Sequence, residues 1–206
     1  MADWVGIKHA LNSTLGTDSF ESLDKMILDK IEYEAYENLY NYFYALYGNN
    51  EDLKYYNSQR GLTELNATNM QDAEGKEVII VANRTESIAT GAFSKCSTTL
   101  KQLFLPKSLR TFGASSFSAC YYIKQLVANG VTIINNYAFN NCNGLEYLEI
   151  SNAMMTFGNN IFNGTTQDIL IKFNGTKSEW DSIGKSNWKG GTGTITVRCN
   201  DGNYTY

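Results

Sequence analysis

The sequence is poor in residues on which enzyme chemistry commonly depends. It contains a single proline, Pro106, and a single histidine, His9, and charged residues make up only 18% of its 206 residues. Having one histidine excludes most Ser-His-Asp, Cys-His and histidine–metal sites, because each of them needs histidine at the reacting centre. The formal net charge of −4 argues against a nucleic-acid-binding protein, which normally carries a basic face.

Long apolar runs are also missing. No stretch approaches the roughly 20 apolar residues that a helix needs to span a bilayer, so we expect no membrane insertion. The N-terminus, from Met1 to Lys8, lacks the basic head and apolar stretch of a secretory signal. We therefore expect the protein either to stay where it is made or to leave the cell by lysis or as part of a particle.

Metal-binding and catalytic patterns are scarce as well. The four cysteines form no C-x-x-C pair, which argues against a structural zinc site, and the interpretation we favour is buried free thiols that pack as small apolar groups. Carboxylate pairs such as Glu51-Asp52 have no nucleophile or base placed beside them. The sequence predicts no enzyme activity, no cofactor and no metal.

A repeat dominates what is present. Phenylalanines at 93, 117, 139 and 162 are separated by 24, 22 and 23 residues, and cysteines at 96, 120 and 142 keep the same steps, with Gly164 in the fourth place. A Leu-x-x-Leu-x-Leu segment ending at Leu105 belongs to the same period. A period of about 23 residues with this leucine pattern is typical of leucine-rich repeats.

The repeat predicts an α/β solenoid: a short leucine-rich-repeat array of about four coils with a parallel β-sheet at 77–173. We expect an α-helical N-terminal segment at 1–60, a linker at 61–76 and a C-terminal helix–strand cap at 174–206. Thr176 and Glu179 form a capping-box pattern for a helix at 177–183, and the alternation at 194–199 predicts a strand.

The N-terminal segment predicts a long helix from about Phe20 to Tyr47. Apolar and aromatic residues surround most of its second half, and a helix that is apolar on several faces is packed on several sides. We favour self-association, with a trimer as one candidate; the alternative is that this helix lies along the open end of the array. The predicted oligomerisation residues are Leu23, Ile27, Ile31, Leu39, Tyr42 and Leu46.

Alternation along each strand predicts which side chains leave the core. With Leu103 and Leu105 inward, Gln102 and Phe104 point outward, and the other coils follow the same rule. Exposed apolar and aromatic residues in a row often mark a partner site, and the alternative is that the N-terminal segment covers them. The predicted binding residues are Ile79, Val81, Gln102, Phe104, Gln125, Val127, Tyr147, Glu149, Leu170 and Lys172.

Residues 77–202 resemble the BspA-like, or treponemal-type, leucine-rich repeat family. The similarity rests on Ile88 to Cys96, Ile134 to Cys142, Leu100 to Pro106, and a tail containing Trp180 and Trp188. It implies a repeat solenoid, and many relatives are secreted adhesive proteins. Residues 4–25 are similar to the opening of structural proteins of phages and prophages.

Together these features favour a non-enzymatic phage virion protein, a fibre or receptor-binding module assembled in the host cytoplasm. Its expected partners are other virion proteins or further copies of itself, and a host-surface receptor protein or glycan. The alternative is a cellular interaction or adhesion protein of a bacterium or protist, located in the cytoplasm or at the cell surface.

Overall fold

The computed structural model describes residues 53–56, by their backbone alone, and 64–70, 73–81, 85–152 and 155–206. In this part the chain winds into a β-solenoid of about six turns. Each of the four complete turns between residues 78 and 167 contributes one strand to a first wall and a two-residue strand to a second wall. The single α-helix of the described residues is α1 (Lys177–Ser182).

The first wall consists of the longer strands. They are β1 (Leu53–Tyr56), β3 (Val78–Val81), β5 (Gln102–Phe104), β7 (Gln125–Ala128), β9 (Tyr147–Ile150), β11 (Ile169–Phe173) and β12 (Ile195–Cys199). Strands β1, β3 and β5 form one sheet, and β7, β9, β11 and β12 form another. Pairing within each is parallel, except that a last strand, β13 (Gly202–Thr205), runs antiparallel to β12.

The second wall is a parallel sheet of five short strands, one coil apart. They are β2 (Glu64–Leu65), β4 (Ser87–Ile88), β6 (Thr111–Phe112), β8 (Ile133–Ile134) and β10 (Thr156–Phe157). The turns after these strands also bond between coils: Phe93 N donates to Ser116 O at 3.0 Å, and Phe117 N donates to Ala138 O at 2.9 Å. Neighbouring coils therefore satisfy each other's backbone, as expected for a solenoid.

The core between the walls is built on the repeated phenylalanines. The rings of Phe93, Phe117, Phe139 and Phe162 stack in sequence, with centroids 4.9, 5.2 and 5.5 Å apart. Trp188 meets the last ring edge-on at 6.1 Å. Offset or edge-to-face ring pairs at these distances are favourable beyond the area that they bury, so the period of the sequence becomes one continuous aromatic stack.

The four cysteines are buried free thiols, as predicted. Cys142 Sγ donates to Phe117 O at 2.9 Å. Burial raises the pKa of Cys142 to about 12, and burial, with smaller contributions from Cys142 and Cys96, raises the pKa of Cys120. These thiols stay protonated near neutral pH, and the thiolate is the reactive form, so they act here as packing groups.

The prediction of about four coils was too low, because a degenerate first coil was missed and the turn that leads from β11 to β12 was not counted. Leu65, Met70 and Ala73 each precede by 23 residues the members of the next coil, Ile88, Phe93 and Cys96, and all three are buried. Met70 and Ala73 keep these core positions apolar, but they do not match the Phe and Cys by which the other coils are recognised. Strand β2 and these residues show that the stretch expected to be a linker contributes to the solenoid.

The described residues contain almost no helix, so the α/β description was too helical for this part of the chain. The capping box of Thr176 and Glu179 and helix α1 lie where they were expected. Strand β12 also lies at the expected position and pairs with β11. That this C-terminal segment acts as a cap stays a prediction, and the expected helix at 20–47 with its oligomerisation residues lies outside the described residues.

Candidate recognition surface

The outer face of the first wall is defined by the side chains that alternate away from the core. The register aligns Gln125 with Tyr147, Tyr147 with Leu170, and Leu170 with Thr196. A second row aligns Val127, Glu149, Lys172 and Arg198 in the same way. The residues between them, such as Leu126, Leu148 and Ile171, are buried in the core.

Two predicted binding residues, Ile79 and Val81, do not belong to this face. The register aligns Ile79 with the inward Leu103, while Val78 and Ile80 align with Gln102 and Phe104. Ile79 and Val81 are both fully buried in the core. The predicted register of β3 was shifted by one residue, because the strand reads Val-Ile-Ile-Val and has no polar residue to mark its outer face. The other eight predicted residues lie on the outer face.

The outward-pointing side chains of this face are buried at one end of the sheet and accessible at the other. Val78, Ile80 and Phe104 are at most 9% exposed although they alternate outward. Gln125 is exposed, and Val127, Tyr147 and Leu170 are half-buried. Phe104 therefore behaves as a buried residue and not as the exposed contact that the sequence predicted, and the accessible surface starts at Gln102.

A groove crosses the accessible part, where strands β5, β7 and β9 begin. It has a volume of about 540 Å³ and is lined by Lys101, Gln102, Tyr122, Lys124, Gln125, Glu146 and Tyr147. The Tyr122 side chain is 53% exposed beside it. Within the described ranges, Gln102 Oε1 is one of three buried side-chain oxygens without a hydrogen-bond partner. An exposed aromatic ring among polar side chains is an arrangement common at binding surfaces.

Paired charges run along the rim of the groove. Lys101 Nζ lies 2.5 Å from Glu77 Oε1, and Lys124 Nζ lies 3.5 Å from Glu146 Oε1. The second pair is well exposed, and exposed ion pairs add little stability. The rim therefore offers both signs of charge to a partner without a strong net field.

Glu149 organises the next section of the face. Its carboxylate accepts hydrogen bonds from Tyr147 Oη at 2.8 Å, Asn174 Nδ2 at 2.9 Å and Asn129 Nδ2 at 3.2 Å, and Lys172 Nζ lies at 3.5 Å. Burial alone would raise the pKa of Glu149, but these bonds and the lysine outweigh it, so the pKa is lowered. The network holds the Tyr147 ring in place at the edge of the groove.

Residues 73–190 match the BspA-type leucine-rich repeat region in six copies, which is more than half of the chain. The chain belongs to the BspA-type leucine-rich-repeat family. Comparisons with curated proteins and with solved structures found no match. Membership in this family supports a protein-interaction or adhesion module, and a leucine-rich-repeat solenoid is typically a non-enzymatic interaction scaffold.

The described BspA-type repeats present polar and aromatic side chains at the groove. Among the described residues no group of three or more His, Cys, Asp or Glu side chains is placed to hold a metal ion. Over the same ranges, no helix combines the length and apolarity required to cross a bilayer. The groove contributes amides, phenols and paired charges, which recognise partners by hydrogen bonding and packing.

Several residues of this surface were not predicted from the sequence. Tyr122 lies in a turn before strand β7, so strand alternation could not place it on the face. Asn129 and Asn174 each follow a first-wall strand, and only the fold brings them to Glu149. Thr196 and Arg198 could have been found, because their strand was predicted but was not recognised as the next member of the wall.

Proposed function

We propose that this chain is a non-enzymatic recognition module that binds a receptor protein through the groove on the outer face of the first wall. The observation that carries the proposal is Tyr122, half-exposed in the lining of the groove. Tyrosine is among the residues most enriched at the energetic centres of protein interfaces. Repeat solenoids commonly bind partners along such extended faces.

The groove favours a protein segment with exposed backbone or amide donors. The side-chain amides of Gln102 and Gln125 line the groove and can pair with backbone groups of the partner. The rim pairs Lys101–Glu77 and Lys124–Glu146 suit a partner of mixed charge. The stacked core beneath holds the face in one shape, so little conformational entropy is lost on binding.

We further propose that the module belongs to a phage virion, as a fibre or receptor-binding protein assembled in the host cytoplasm. The similarity of residues 4–25 to the opening of phage structural proteins supports this setting. In this setting Leu23, Ile27 and Ile31, with the rest of the apolar stripe, hold copies of the chain together. The alternative setting is a bacterial or protist cell, where the same surface would serve interaction or adhesion.

Truncating the central tyrosine tests the surface. Particles or cells carrying Tyr122→Ala should attach to their target at least about tenfold more weakly, because losing an interface tyrosine of this kind costs about 2 kcal/mol or more. Tyr121→Ala is the matched control, since Tyr121 is similarly exposed at 44% but does not line the groove. Equal attachment of the two variants would refute the assignment of the groove.

The setting is tested separately. Mass spectrometry of particles purified after lysis should detect this chain in constant proportion to the capsid protein. Light scattering of the purified full-length protein should give a mass of several copies. A chain found only in washed cells, with none in particles, would refute the virion setting and leave the groove to be judged by the attachment experiment.

A further inference from the structure

A second open site lies on the turns that follow the second wall, away from the groove. This cleft has a volume of about 850 Å³ and spans the last three coils. It is lined by Asn136, Tyr137, Asn159, Asn160, Lys185, Asn187, Trp188, Lys189 and Gly190. Four of the nine lining residues are asparagines, and an exposed tyrosine ring and two lysines lie among them. We call it the asparagine cleft.

Tyr137 is the unusual residue of the asparagine cleft. Its φ is +59°, in the left-handed region that bulky side chains rarely adopt. The equivalent positions of other coils hold Gly91, Ser115 and Asn160, and glycine or asparagine enters this region more readily. The Tyr137 ring is nevertheless 39% exposed. Backbone strain kept at an exposed aromatic residue points to a functional role.

The amides around this ring have unused hydrogen-bonding capacity. Asn136 uses its Oδ1 to accept from Asn159 N at 2.7 Å, and Asn160 Nδ2 donates to Tyr137 Oη at 3.4 Å. Within the described residues, Asn136 Nδ2 and the side-chain amides of Asn159 and Asn187 make no hydrogen bond. Each free amide offers donors and an acceptor at fixed spacing, which matches adjacent hydroxyls of a sugar.

The lysines give the asparagine cleft a positive charge. Lys189 Nζ donates to Tyr206 O at 2.9 Å, and Lys185 Nζ donates to Trp180 O at 2.5 Å and Ile183 O at 3.4 Å. An ammonium group has three donors, so each lysine keeps at least one for a ligand. The lining contains no Asp or Glu. The charge therefore suits an anionic ligand.

We propose that the asparagine cleft binds an oligosaccharide that carries carboxylate groups. The face of Tyr137 stacks on the apolar face of one sugar ring. The free amides of Asn136, Asn159 and Asn187 bond its hydroxyls. Lys185 and Lys189 hold a carboxylate of the sugar by charge-assisted hydrogen bonds. This site is separate from the groove of the first wall, and either can exist without the other.

Calorimetric titration of the full-length protein tests the proposal with two probes, a tetrasaccharide of linked galacturonic acid and the neutral tetrasaccharide of galactose. The charged probe should bind at least tenfold more tightly than the neutral one. Its affinity should fall as salt is raised, because exposed charge interactions are screened. Lys189→Gln should remove most of the preference for the charged probe.

Tyr137→Gly is the decisive variant, because glycine relieves the left-handed backbone while removing the ring. Its melting temperature should equal or exceed that of the wild type, whereas its affinity for the charged probe should fall at least tenfold. Ser115→Gly is the matched control: Ser115 holds the same position one coil earlier, at φ +52°, outside the asparagine cleft. It should leave binding unchanged.

The proposal is overturned if the galacturonate tetrasaccharide does not bind, or if it binds Tyr137→Gly as tightly as it binds the wild type. Equal affinity for the neutral probe overturns the requirement for a carboxylate. None of these results bears on the groove of the first wall, because the groove and the asparagine cleft share no lining residue.

Discussion

The rings of Phe117 and Phe139 stack with centroids 5.2 Å apart and planes 6° from parallel, although the two residues are 22 positions apart in the sequence. Phe112 contacts both rings edge-on, at 5.0 and 5.8 Å. Three rings from adjacent coils thus share one packing unit at the centre of the solenoid.

Removing one ring from this unit should be costly. Phe117→Ala should lower the free energy of unfolding by about 3–5 kcal/mol, since it loses apolar burial and leaves a cavity. Urea denaturation measures the change. Tyr121→Ala, in the turn that follows, should change it by no more than about 0.5 kcal/mol because that side chain is well exposed. Similar losses for both would contradict the aromatic stack.

Gly113 marks a close approach between coils. A Cβ there would lie 2.5 Å from Ala89 C and 2.6 Å from Ile88 O, which are backbone atoms that cannot move aside. Gly113→Ala should therefore destabilise the fold by about 1–3 kcal/mol, the usual range for overpacking. Gly184→Ala is the control, because nothing lies within 4 Å of its Cβ position. Thermal melting should separate the two, and equal melting temperatures would refute the close approach.

The buried thiols should make stability fall at alkaline pH. The pKa of Cys142 is raised from 9.0 to about 12 by burial, so between these values the unfolded chain loses the proton and the folded chain keeps it. The stability that this thiol contributes is complete below pH 9 and is lost as the pH rises toward 12.

Tyrosines also titrate in this window, so the variant Cys142→Ala is needed to isolate the effect. The difference in unfolding free energy between wild type and Cys142→Ala should shrink steadily from pH 9 to pH 11. A constant difference would show that the thiol ionises equally in both states.

Glu149 should show the opposite pH dependence. Its pKa is lowered from 4.5 in the folded protein, so its carboxylate stabilises the fold above that value, and the contribution disappears as the pH falls below it. Glu149→Gln should cost about 1.5–3 kcal/mol at pH 7, the scale for hydrogen bonds to a charged group, and less at pH 3. Denaturation at both values measures this.

Glu146→Gln provides the comparison for that experiment. Within the described part of the chain the Glu146 side chain pairs only with Lys124, in an exposed contact, and such pairs are worth about 0–1 kcal/mol. A loss at pH 7 as large as that of Glu149→Gln would mean that the network around Glu149 adds no stability of its own.

The sequence was sufficient to predict the solenoid, the parallel strands and the buried thiols, because Phe and Cys recur with little variation in the central coils. It was insufficient at the N-terminal end of the array. Met70 and Ala73 fill the same core positions without resembling the repeat, and the four apolar residues of β3 leave its register open. A repeat cannot be recognised by residue identity in coils where only the volume and polarity of the core positions are preserved.

The candidate site was predictable only where alternation applied. Gln125, Tyr147 and Lys172 followed from the strand pattern, and the structure places them on the outer face. Tyr122 and Tyr137 lie in turns, where direction depends on backbone conformation. The tyrosine itself does not signal the left-handed conformation of Tyr137; the only sequence signal is the repeat, whose equivalent positions hold Gly91 and Asn160.

The hydrogen bonds between coils have a consequence for how such proteins change in evolution. Phe93 N donates to Ser116 O just as Phe117 N donates to Ala138 O, so a coil meets the same donors and acceptors whichever coil precedes it. Duplication or deletion of a unit of about 23 residues would preserve these backbone hydrogen bonds. The length of the surface, and so the size of the partner that it can hold, can thus change in single genetic steps while the packing solution stays the same.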